Sequence, residues 1–139
     1  MIGLIAVVGL ALLSATGCGS SESAADKAKN QACDAISDID TQIATLKGLP
    51  LSTSSVDTAK TALQKIESDI KTVSNAAPDV TGDLKTQLQT ANSTFKAQVD
   101  QTAESITSAD SLTAAATAVT TAAKTLGASY QQTLASIKC

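Results

Sequence analysis

The chain has 139 residues, thirteen acidic side chains against ten Lys and no Arg or His, for a net charge of −3. With no basic patch and an acidic balance, nucleic-acid binding has little to stand on, because phosphate contacts need clustered positive charge. With no His, and with its one Met at the first position, the chain is a poor candidate for transition-metal or haem chemistry, and no cofactor is expected. Aromatic residues make up 1% of the chain and Trp is absent, so the sequence favours helices packed through Ala, Leu, Ile and Val over a β-sandwich.

Residues Ile2 to Leu13 form an uncharged apolar run, long enough for a signal-peptide core and short of the roughly 20 residues that span a bilayer. The run ends in Ala15-Thr16-Gly17-Cys18, which resembles the lipobox of bacterial lipoproteins, with Ala15 where Leu is commonest. The resemblance covers the first 18 residues and implies cleavage before Cys18 and attachment of a diacylglyceryl group to its sulfur. It thus implies a signal peptide over 1–17 and a lipid-anchored protein on the extracytoplasmic face of the cell membrane. A diacylglyceryl group carries two chains, and two acyl-scale signals are what stable anchoring takes. The Gly-, Ser- and Ala-rich stretch after the cysteine reads as a flexible tether over 18–25. Residues 26–139, within a mature chain of about 120, suffice for one domain with a modest core.

The first helix is expected from about Ser23 to Lys47. Ala32, Ile36, Ile39, Ile43 and Leu46 recur at spacings of three and four and line one face. Gly48 is expected to close this helix in a left-handed conformation, with Pro50 beyond it. In the second helix, Ser54 and Asp57 resemble a capping box, and Val56, Ala59, Leu63, Ile66, Ile70, Val73 and Ala77 make the stripe. Pro78 stops it.

The third helix runs from Thr81 or Asp83 to about Ser108, with Leu84, Leu88, Ala91, Phe95, Val99, Thr102 and Ile106 inward. Two successive spacings of four interrupt its heptad, which suits a globular bundle better than a long two-stranded coiled coil. The fourth begins after Ser108 or Asp110 and continues nearly to the end, with Leu112, Ala115, Ala116, Val119, Ala122, Ala123, Leu126, Tyr130, Leu134 and Ile137 inward. Much of its remaining surface is Ala, Thr and Ser. One reading is that small residues, Gly127 among them, let neighbouring helices approach closely. The other is that this weakly charged face, around Thr121 and Ala123, receives a partner.

Short turns at Gly48 to Thr53, Ala77 to Gly82 and Ser108 to Asp110 make the sequential neighbours antiparallel. The expected fold class is therefore all-α, an up-down-up-down four-helix bundle. In that topology the start of the first helix and the end of the fourth share one end of the bundle. Cys33 and Cys139 are the cysteines left once Cys18 is lipidated, and export favours oxidation. A Cys33–Cys139 disulfide is expected, the alternative being two free thiols or an intermolecular bridge.

The carboxylate pairs Asp34/Asp38 and Asp100/Glu104 have no His, Arg or nucleophilic partner in the sequence and read as a solvated face. Asp38-Ile39-Asp40 lacks the glycine and later Glu of a calcium loop. Asn92-Ser93-Thr94 matches a glycosylation triplet, a weak signal inside a helix. The expected function is non-catalytic: a lipid-anchored module attached to the membrane through Cys18, acting structurally or on a protein partner. The alternative is a sensory bundle holding a small apolar molecule in its core. The anchor and heptads loosely resemble the murein lipoprotein, but the chain ends Ile137-Lys138-Cys139 without that family's terminal lysine, so cell-wall attachment is not carried over.

Overall fold

The computed structural model describes residues 22–50 and 52–139; Cys18 and the segment before it lie outside them. The chain forms an antiparallel four-helix bundle of α1 (Ala24–Lys47), α2 (Thr53–Ala76), α3 (Asp83–Thr107) and α4 (Leu112–Gln132). Sequential helices pack as neighbours, α4 closes the ring against α1, and α2 also meets α4 across the diagonal. Following α1 from Cys33 through Ile36 to Ile43, its partners run backwards, from Cys139 to Tyr130 to Gly127.

The apolar stripes of α1 and α2 are buried at every position the spacing picks out. The helix starts differ more. Ser23 caps α1 by accepting from the Asp26 amide, and its hydroxyl donates to the Asp26 carboxylate. Ala24 and Ala25 are therefore helical, although composition assigns them to the tether; alanine belongs to flexible linkers by company and to helices by propensity. The expected Ser54 cap is displaced as well. Ser52 occupies the N-cap position of α2 without bonding an amide, its hydroxyl instead pairing with Ser54 and Ser55, and Ser55 donates on to the Pro50 carbonyl.

Gly48 does not take the left-handed conformation expected of it. At φ −85° it continues right-handed, its N–H bonding back to Ala44 and Thr45. Positive φ is used at Gly82 instead (φ 68°), where the chain leaves the 3₁₀ turn Ala77–Asp79 and enters α3.

The fourth helix stops earlier than its periodicity suggests. Thr133 (φ −114°, ψ −76°) breaks the α conformation, and a 3₁₀ turn over Leu134–Ser136 follows. The Thr133 hydroxyl donates to Ser129 and that of Ser136 to Thr133, both to backbone carbonyls. This bend buries Leu134 and Ile137 and delivers Cys139 to α1. At the other end Leu112 is 60% exposed, outside the core stripe it was expected to join.

Phe95 centres the core, fully buried and edge-on to Tyr130 at 6.3 Å between ring centroids. Asn92 is buried too, its amide donating to the Ile70 carbonyl and to Ser74 across the α2–α3 contact. That occupied nitrogen rules out glycan attachment in this fold. The small residues of α4 do allow close approach: a Cβ on Gly127 would lie 2.6 Å from Lys47 Cε and 3.7 Å from Ile43 Cγ2.

Candidate functional site

The sulfurs of Cys33 and Cys139 lie at disulfide distance, with their Cα atoms 5.6 Å apart, inside the range a bridge allows. About two and a half helical turns separate Cys33 from the start of α1, so Cys139 is fastened near the end of the bundle where α1 begins. Among the described residues no helix is long and apolar enough to cross a membrane.

The carboxylates read as a solvated face are exposed. Asp100 pairs with Lys96 one turn away, both about half exposed. Asp38 raises the pKa of Asp69 across the α1–α2 contact, second to partial burial of Asp69 itself, while Lys65 opposes both. Among the described residues no cluster of His, Cys, Asp and Glu has the grouping of a metal site.

The surface of the α3–α4 seam is a different matter. Three hollows of about 490, 390 and 380 Å³ follow one another along it. The first and second share Gln98 and Thr125, and the second and third share Thr94, Gln132 and Thr133, so they form one open trough. From Thr86 to Ser105 along α3 it extends about 29 Å, at 1.5 Å of rise per residue. None of its lining residues is charged or aromatic, although 17% of the chain is charged. The lining is Thr, Gln, Ser and Ala, with Ile137 at one end.

Helix geometry decides what those hydroxyls offer. Thr94, Thr117, Thr121 and Thr133 each donate to the carbonyl one turn back, at 2.7–3.2 Å. Their protons are spent, and their lone pairs face outward as acceptors. Two further hydroxyls are unlike these. Thr102 and Ser129 are 7% and 9% exposed, line the trough, and have no hydrogen-bond partner among the described residues. The sealed side-chain atom without a partner is Asn92 Oδ1, so the hydroxyls of Thr102 and Ser129 keep an opening to the trough.

No protein-family model, curated protein or solved structure matches the chain.

The structure divides the weakly charged face of α4 into two. Thr121 is exposed in the trough, whereas Ala123 is 3% exposed and belongs to the core. The close-approach reading holds on the inner side, and the outer side is an exposed, uncharged surface. Sequence reasoning missed the trough because it sought one helix's face, and the trough is made by two. The signal was available as Thr at spacing four on both, 86-90-94 and 113-117-121-125, with no charge at those positions.

Proposed function

We propose that the protein is a non-catalytic, lipid-anchored module held by Cys18 at the extracytoplasmic face of a membrane, where its helical body offers a surface. The observation that carries this reading is the Leu12-to-Cys18 stretch ending six residues before the first helical residue, Ala24. Six residues reach at most about 20 Å, so the bundle stands close over its anchor. The bridge between Cys33 and Cys139 suits an exported chain, since such bonds persist outside the reducing cytosol.

The alternative of an apolar molecule held inside the bundle has less support. Phe95, Ile39, Ile66, Leu126 and Leu134 fill the interior with relative exposure below 2%. The four hollows described along the helices, up to about 490 Å³, are open seams and not internal chambers. A ligand site of the usual kind is concave and largely apolar.

The test is detergent phase partition of the protein expressed with its own leader. The native chain is expected in the detergent phase and Cys18→Ser in the aqueous phase. Equal partition of both refutes the anchor.

A further inference from the structure

We infer that the Cys33–Cys139 bridge is a redox latch, opened in the folded protein by a dithiol reductant, and that the tail 134–139 leaves the bundle when it opens. The inference rests on the bridge and the tail and not on the lipid.

Access comes first. Cys139 is exposed and Cys33 half-buried, so the bond lies at the surface and not inside the core. Exchange needs a thiolate to reach one of the two sulfurs, and exposed bridges are the reactive ones. Cys139 is the more exposed residue, so attack falls on its sulfur and the Cys33 sulfur leaves as a thiolate. The second thiol of the reductant then displaces Cys139 from the mixed disulfide. The protein's S–S bond takes up two electrons, the dithiol is oxidised to its own disulfide, and its two protons pass to the cysteine thiolates.

Little else holds the tail. The Ser136 hydroxyl donates to the Thr133 carbonyl and the Ile137 amide to that of Leu134. Among the described residues no hydrogen bond joins 134–139 to α1, α2 or α3. Leu134 and Ile137 are buried, whereas Ala135, Ser136, Lys138 and Cys139 are exposed. Ordering the backbone of this short segment opposes docking more strongly than burial of two aliphatic side chains favours it. The covalent link therefore decides whether the tail stays.

The helices do not depend on the bridge in the same way. Independently of it, α4 meets α1 at Tyr130, which donates to the Ile36 carbonyl, and at Gly127 beside Ile43. Opening thus acts locally. It withdraws Ser136 and Ile137 from the hollow they line with Thr86, Gln87 and Thr90 of α3, and it bares the apolar site that Leu134 fills. The redox state of the surroundings sets which of the two surfaces the protein presents.

The test uses the full-length protein under native conditions with dithiothreitol at increasing concentration, quenched with iodoacetamide and read peptide by peptide at Cys33 and Cys139. Neither is expected to be alkylated without reductant. The reduction rate is expected to rise in proportion to dithiothreitol, as it does when attack needs no unfolding. Chymotrypsin then reports the tail: cleavage after Leu134 is expected to speed up roughly 10-fold or more on reduction, with Phe95 still protected and the helical circular dichroism unchanged. Cys139→Ser is expected to be cleaved after Leu134 at the faster rate with or without reductant. A reduction rate that levels off at the rate of global unfolding overturns the proposal, because the bridge is then reached only in the unfolded chain. Cleavage after Leu134 that reduction leaves unchanged overturns it too. So does cleavage at Phe95 in step with Leu134, which makes the bridge a staple for the whole bundle rather than a latch on its tail.

Discussion

Replacing both Cys33 and Cys139 by Ser removes a link that spans 106 residues of sequence. In the chain-entropy description, a closed loop of that size restrains the unfolded state by about 4.7 kcal/mol at 25 °C. Single domains are stable by about 5–15 kcal/mol, so the loss takes a third or more of the total. For a domain of this size, about 4 °C of melting temperature accompanies each kcal/mol, and the double variant is expected to melt roughly 15–20 °C lower. Urea titration followed by circular dichroism provides a second readout. The midpoint falls, and the slope rises because the unlinked chain exposes more surface when it unfolds. The helical content of the folded state stays the same, since the tail beyond Thr133 is the segment most directly released. Coincident midpoints for the native and double-serine proteins under oxidising conditions would refute the reasoning. So would alkylation of both thiols in the native protein without reductant.

Four further outcomes are expected. Phe95→Ala removes the largest fully buried side chain and the edge-on contact with Tyr130; it is expected to cost about 3–5 kcal/mol in urea unfolding, and a cost under 1 kcal/mol would contradict the packing described. Gly127→Ala places a methyl against the flexible end of Lys47 and at ordinary contact distance from Ile43, so Lys47 swings aside and the helix gains up to about 1 kcal/mol of propensity; a lower melting temperature would show that Lys47 is fixed. Asp69→Asn tests linkage: burial and Asp38 raise the Asp69 pKa on folding, so the folded state favours the protonated acid, and stability is lost as pH rises from the ordinary carboxylate value through the raised one. The variant is expected to melt higher than the native protein at pH 7 and equally at pH 3, and a difference that persists at pH 3 would exclude the charge as its cause. Tyr130, held up by burial first and by Asp40 second, donates its hydroxyl to the Ile36 carbonyl; its stabilising contribution is expected to fade as pH rises through 10 and beyond, and Tyr130→Phe is expected to flatten that alkaline loss.

The bundle was readable because the stripes of α1 and α2 hold without exception, and a spacing of three and four leaves few alternatives. The irregularity seen in the third helix has a particular cause. Stepping from Leu88 to Asn92 in place of Ala91, and then to Phe95, Val99, Thr102 and Ile106, makes the alternation regular from Leu88 onward and moves the double four to Leu84-Leu88-Asn92, at the start of the helix. A polar residue held a core position, and a hydrophobicity pattern passes over such residues. Its amide is satisfied by Ile70 and Ser74 from another helix, 22 and 18 residues away, a pairing that no local pattern encodes. The exchange of roles between Gly48 and Gly82 is of the same kind, since both glycines follow a helix and only the direction of the next element selects which must take positive φ. The lipobox-like stretch ending at Cys18 lies outside the described residues, whereas the trough emerged only once α3 and α4 were set side by side.

The bridge between the first half of α1 and Cys139 also sets a load path. Were the chain held at Cys18 as proposed, tension would enter at Ala24, travel ten residues of helix to Cys33, and cross there into the short tail behind α4. The pull reaches the helix that lines the trough through covalent bonds, without having to shear α1 along α2. A pull on Cys18 would thus be shared between α1 and the tail of α4 at one end of the bundle.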